Sequence, residues 1–158
     1  AGDAPWRVSS QFWWDKQQDA FEFLRAKRAV FAVAFNGRAF QESALSRGIG
    51  VIYEGQVLGL NAWVIPKASQ RPKEAAEFIA FATEPSRLAA QASEFPYGPA
   101  RRSAVALVGQ HPALRTDMKP HMPTAPEHLS SALRLDAAFW AANDAKLKER
   151  FLAWRSAN

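Results

Sequence analysis

Two rhythms of apolar residues alternate along this chain. Leu58-Gly59-Leu60-Asn61-Ala62-Trp63-Val64-Ile65-Pro66-Lys67 is apolar almost throughout, with one amide in its middle. Its β-branched and aromatic residues, and the closing proline that has no N–H for a ladder, predict a short buried strand over Val57 to Ile65. Upstream, Val30 to Phe35 is apolar on both faces, as a parallel strand sandwiched between helices should be. Asn36-Gly37 ends it, because both residues tolerate left-handed backbone angles. Gly48 to Tyr53 reads as another short strand, followed by a turn at Glu54-Gly55-Gln56. Strands that end in polar turn residues and lead into helical sequence are what an open α/β sheet supplies at its ligand crevice.

Between and after these runs the period becomes helical. Asp15 is placed to cap a helix to about Lys27, with Phe21 and Leu24 on one side. A helix is expected from Arg38 through Leu45. Pro72 opens another over Lys73 to Ala82, with Ala76, Ile79 and Ala80 in a stripe. Thr83 or Glu84 then caps a helix that Pro85 enters and that runs to roughly Ser93. Ala100 to Val108 and Glu127 to Leu133 read as short helices around an irregular stretch from His111 to Pro126. Asp136 reads as the N-cap of the last helix, where Phe139, Trp140, Asn143, Leu147, Phe151 and Trp154 spread over a wide apolar face. Residues 6 to 14 contain a short strand; Trp13 and Trp14 would face opposite sides of it, so at most one reaches a pocket, and packing is the simpler role for both.

Composition narrows the classes. With 158 residues, 48% apolar and 22% charged, the chain has the size of one ordinary domain. No apolar run approaches the ~20 residues that cross a bilayer, and no basic-then-apolar leader opens the sequence, so a mature or trimmed chain is expected. Cysteine is absent, which excludes disulfides, thiolate metal sites and cysteine nucleophiles. The net charge of +5 is scattered over Arg25, Lys27 and Arg28, over Arg101-Arg102, and over Lys146, Lys148 and Arg150. A phosphate-tracking surface needs clustered charge, so nucleic acid is not an expected partner. His111, His121 and His128 lack the i, i+4 spacing of a helical zinc site, and no metal is expected. No phosphate loop, Gly-x-Ser-x-Gly turn, His-Glu-x-x-His helix or dinucleotide fingerprint occurs, so neither catalytic residues nor a cofactor are expected.

Asn36-Gly37-Arg38-Ala39-Phe40 after an apolar strand, Trp63-Val64-Ile65-Pro66-Lys67-Ala68-Ser69 before Lys73-Glu74-Ala75-Ala76-Glu77-Phe78-Ile79, and then Tyr97-Gly98-Pro99 form an ordered set. In that order and spacing they resemble the spermidine/putrescine-type solute-binding proteins of ABC importers. The likeness covers most of this chain and the C-terminal part of a longer family pattern. It implies an α/β fold, the C-terminal portion of a two-lobed, type II periplasmic-binding-protein-like architecture with short central strands flanked by helices. Residues 1–60 would belong to the C-terminal lobe, 61–97 would cross to and return from the N-terminal lobe, and 98–158 would supply C-terminal lobe helices. It further implies a periplasmic, non-enzymatic receptor that holds a small-molecule solute and presents it to an ABC transporter permease.

The same resemblance places Phe35, Asn36, Arg38, Asn61, Trp63, Tyr97 and Arg134 at the ligand cleft. Phe35 stands where the family often has Tyr or Trp. Four of them have a plainer reading: Asn36 only turns the chain, Arg38 and Arg134 are solvated, and Tyr97 is a half-buried ring. Polyamine binders carry an aspartate at the position of Asn61 and often an aromatic at that of Gly59. An amide can hydrogen-bond an amine but cannot supply the charge that offsets burying a cation, and glycine removes one wall of a cation-stacking slot. Arg134, if turned to the cleft, would repel a polyamine and attract a carboxylate or phosphate. The solute thus stands open among polyamine-like, amino-acid or opine-like, and anionic classes. In a second reading the chain is a truncated interaction or scaffold domain, which buries its apolar surface as a homodimer or against a separate N-terminal-half partner.

Overall fold

Helix starts and stops follow local chemistry in the computed structural model, which describes residues 11–45 and 48–157. Helix α1 spans Gln17–Arg25; its N-cap is Lys16, not Asp15, because the Asp19 carboxylate reaches back to accept from the Lys16 amide. The helix ends two residues before Lys27. Arg28 N–H donates to the Phe23 carbonyl and Lys27 N–H to that of Leu24, with Lys27 itself at φ 56°, a Schellman closure with lysine in the position that glycine favours. Helix α2 covers Asn36–Leu45 and so begins two residues earlier than Arg38. The Asn-Gly pair expected to turn the chain forms its first turn instead.

The three expected strands are largely unpaired. Val30 to Phe35 is unpaired and largely exposed, with Val30 at 94% accessibility, and the Trp14 indole N–H donates to the Val33 carbonyl at 3.0 Å. A strand that is apolar on both faces is stabilised by neighbours on both faces, and no described residue provides them. Gly48 to Tyr53 pairs with nothing among the described residues. Of Val57 to Ile65, only β1 (Val57–Leu58) joins a sheet, a parallel two-stranded one with β2 (Leu133–Arg134), in the register Val57 to Leu133 and Leu58 to Arg134. Leu133 and Leu135 donate to the Gln56 and Leu58 carbonyls at 2.8 and 3.1 Å. The helix expected through Leu133 therefore stops early, at the end of α6 (Pro126–Leu129), because the backbone after Ser131 is taken up by this ladder.

The later helices match their signals more closely. Helix α3 is Pro72–Ala82 and α4 is Pro85–Glu94, each with proline in its first turn, and Glu84 caps α4 by position without a side-chain bond. Helix α5 is a single turn, Arg102–Val105, shorter than Ala100 to Val108. A 3₁₀ turn at Lys119–His121 precedes α6, and α7 runs over Ala137–Ser156. Asp136 caps α7 by accepting from the amides of Ala138 and Phe139 at 2.9 and 3.1 Å. The expected strand within residues 6 to 14 lies mainly outside the described residues. Trp13 packs edge-on against Phe151 and Trp154 of α7.

The core joins Phe40 of α2, Ala89 and Ala92 of α4 and Ala104 of α5 to Val108, Met118, Met122 and Ala125. Small residues at the α4 and α5 contacts let the backbones approach, and the two methionines fill what is left. Helices α3 and α7 bury none of their residues, and Phe31, Leu60, Trp63, Val64, Phe78 and Phe139 are exposed. No helix among the described residues is long and apolar enough to cross a membrane.

Candidate functional site

The N-terminal turn of α2 is where the expected residues meet. The Asn36 amide donates to the Pro96 carbonyl at 2.5 Å, which ties the start of α2 to the Phe95-Pro96-Tyr97 turn across 60 residues of sequence. Pro96 is fully buried beneath this contact. The Tyr97 ring then lies over Gly37: a Cβ built there would fall 2.7 Å from the ring Cζ and closer still to the hydroxyl. Gly37 is thus required for close approach, not for an unusual backbone angle. Gly98 has the same relation to Thr124, whose Cβ would lie 2.9 Å from an added methyl. Phe35, 63% exposed, and Tyr97, 49% exposed, flank the turn with open apolar surface.

The electrostatics of this corner favour a negative group. Unsatisfied amides and the helix dipole make the start of α2 positive. Glu42, one and a half turns on, is buried and takes Arg25 on one oxygen at 2.5 Å and Arg38 on the other at 2.8 Å. Arg38 is therefore paired and not simply solvated; it belongs to a two-to-one cluster with one net positive charge. Glu42 was not singled out from the sequence, although its i, i+4 spacing from Arg38 was visible there. No carboxylate lies in Phe35 to Arg38 or Pro96 to Gly98.

The other expected residues are not drawn into this corner. Asn61 is exposed, and Trp63 stands edge-on to Phe78 of α3, ring centres 5.7 Å apart. Arg134 is exposed on β2 opposite Leu58. Among the described residues no hydrogen bond, ion pair or ring contact joins these three to Asn36 or Tyr97. No cluster of three or more metal-ligating side chains occurs among the described residues.

Residues 5–124 match the family of bacterial extracellular solute-binding proteins, and the chain belongs to that family. It is also 29% identical over 142 residues, 90% of its length, to a gamma-aminobutyric acid-binding protein of Pseudomonas aeruginosa strain PAO1. The aligned region is 39% of that protein, so the chain spans about two fifths of the relative it matches. The family matched is one of extracellular binding proteins.

Proposed function

We propose that the chain forms one wall of the solute cleft of an ABC importer's receptor and that the solute is a small amino acid, held by its carboxylate at the start of α2. The observation that carries this is the docking of Tyr97 on Gly37, fixed by the Asn36 to Pro96 bond, beside the positive end of a helix. The gamma-aminobutyrate named for the relative has such a carboxylate, with an ammonium at the other end. Asn61, Trp63 and Arg134, on the stretches expected to cross between lobes, would complete the cleft once a second lobe turns them inward. The ammonium end would be met by groups outside the α2 corner, since that corner has no acid. Release to a permease would follow lobe opening.

A second reading is favoured by the exposed apolar stretch from Val30 to Phe35 together with Leu60 and Val64. Such surface associates, either with a second copy or with a separate N-terminal half, and solute binding would then require the partner.

Thermal denaturation of the chain with gamma-aminobutyrate, β-alanine, glutamate, putrescine and spermidine tests the first reading. A ligand at one hundred times its Kd stabilises by about 2.7 kcal/mol, which is several degrees of melting temperature. A shift with the amino acids and none with the diamines is expected. A shift with putrescine or spermidine alone would overturn the carboxylate assignment. No shift with any, from material that light scattering shows to be a dimer, would favour the second reading.

A further inference from the structure

Along α2 from the corner just described, from Phe40 one turn on to Ala44, a cleft of about 360 Å³ opens. Phe40 and Ser43 of α2, Tyr53, Thr116, His121 and His128 line it. That volume lies in the range of small-molecule pockets, and the walls combine aromatic faces with a few polar groups, as such pockets do. We propose that this cleft is a second ligand site, for a planar organic anion such as an aromatic carboxylate, distinct from the solute corner at the start of α2.

The shape comes from a stapled pair of loops. Tyr53 Oη donates to the His121 carbonyl at 2.7 Å, and the Gln56 amide donates to the Pro123 and His128 carbonyls at 2.7 and 3.2 Å. These bonds hold the Tyr53 ring flat on the His128 imidazole, centres 4.1 Å apart and planes 13° apart. The His121 ring meets Phe40 at 4.9 Å. A planar guest can extend this aromatic lining by the same offset or edge contacts.

The polar groups select the charge. His128 Nδ1 lies 2.8 Å from the Met122 carbonyl, which can only accept, so Nδ1 carries hydrogen and Nε2 is the open nitrogen. Among the described residues the His121 ring nitrogens make no hydrogen bond. Ser43 and Thr116 add hydroxyls, and no carboxylate lines the cleft. Burial lowers the His121 pKa below its ordinary value; the nearby Asp117 opposes this and the proximity of His128 reinforces it. An anion between the two rings favours their protonated forms, so its binding is linked to proton uptake. The other titratable neighbours are Tyr53, protonated up to about pH 12, His111, whose ring centre is 6.1 Å from that of Phe40, and Glu54 and Glu127, which line a neighbouring opening with His128. His111 Nδ1 accepts from the Ala113 and Leu114 amides.

The test is a titration of the chain with sodium benzoate, followed through the imidazole Cε1–H resonances at pH 6 and pH 8, with benzylamine and acetate in parallel. Saturable shifts of the His121 and His128 signals are expected with benzoate, with an apparent Kd roughly threefold or more lower at pH 6. Benzylamine should give none. Ser43→Trp, which fills the cleft and removes neither imidazole, should abolish the benzoate response while the melting curve stays cooperative. Asn36→Ala, which disrupts the solute corner, should leave it in place. No saturable shift, an equal response to benzylamine, persistence in Ser43→Trp, or loss in Asn36→Ala would each overturn the proposal.

Discussion

The contact between Gly37 and Tyr97 can be tested by a substitution whose two consequences have opposite signs. Gly37 is the second residue of α2, and replacing it with alanine favours the helix by up to about 1 kcal/mol, through intrinsic propensity and a less flexible unfolded chain. The added methyl meets the Tyr97 ring within 2.7 Å of Cζ. Overpacking of this kind costs about 1–3 kcal/mol when the neighbour is fixed. Tyr97 is half exposed and can swing aside, so rotamer strain of about 0.5–1.5 kcal/mol is the better figure. Gly37→Ala alone should then change stability by less than about 1 kcal/mol. In a Tyr97→Ala background the clash is gone and the same change should stabilise by about 0.5–1 kcal/mol, a coupling of about 1 kcal/mol in the double-mutant cycle. Urea denaturation of the four proteins measures it, with m-values checked for constancy. Equal effects of Gly37→Ala in both backgrounds would refute the docking, and with it the geometry on which the solute corner rests.

Other outcomes follow from contacts already described. Gly98→Ala should cost about 1–3 kcal/mol, more than Gly37→Ala, because the short branched Thr124 cannot move aside as a tyrosine tip can; a melting temperature within error of the parent would disprove it. Lys27→Gly should stabilise by about 0.5–1 kcal/mol, by relieving a left-handed lysine in the closure of α1, and a loss of stability in urea would count against that closure. Glu42→Gln should destabilise by about 1–3 kcal/mol, since it leaves Arg25 and Arg38 without the carboxylate between them, discounted for the exposure of both arginines. Tyr53 has its pKa raised by burial from 10.0 to about 12, so the folded state holds its proton more tightly than the unfolded one. Its contribution is complete below pH 10 and is lost as pH rises from 10 towards 12, a decline that Tyr53→Phe should remove from the stability profile.

Helices were legible in the sequence because their signals are local. Pro72, Pro85 and Asp136 each mark a start by chemistry that acts within one turn, and α3, α4 and α7 begin at or beside them. Of the misplaced ends, one had a local cause and the other a distant one. Asp19 recruits Lys16 as the cap of α1, and Asn36-Gly37 enters α2 because its amide finds the Pro96 carbonyl, a partner 60 residues away that no nearby pattern reveals. Strands failed for the opposite reason. The apolar content of Val30 to Phe35 states what that segment would bury, but pairing is a property of two segments, and among the described residues of the expected strands only Val57–Leu58 finds a second one, in Leu133–Arg134.

The site divides along the same line. Asn36 and Tyr97 meet because each sits on a well-anchored turn of the α2, α4 and α5 core, and their joining needs nothing beyond that core. Asn61 and Trp63 sit on the unpaired stretch after β1, and Arg134 on β2 opposite Leu58; all three are exposed. Stability measurements can separate the two groups. If the reading is right, substitutions at Asn61 or Trp63 leave the stability of this chain within about 0.5 kcal/mol, as exposed positions do, while Asn36→Ala costs about 1–2 kcal/mol through the lost bond to Pro96. A large cost at Trp63 would show instead that its contact with Phe78 belongs to the folded core, and that the central apolar run is scaffold and not cleft.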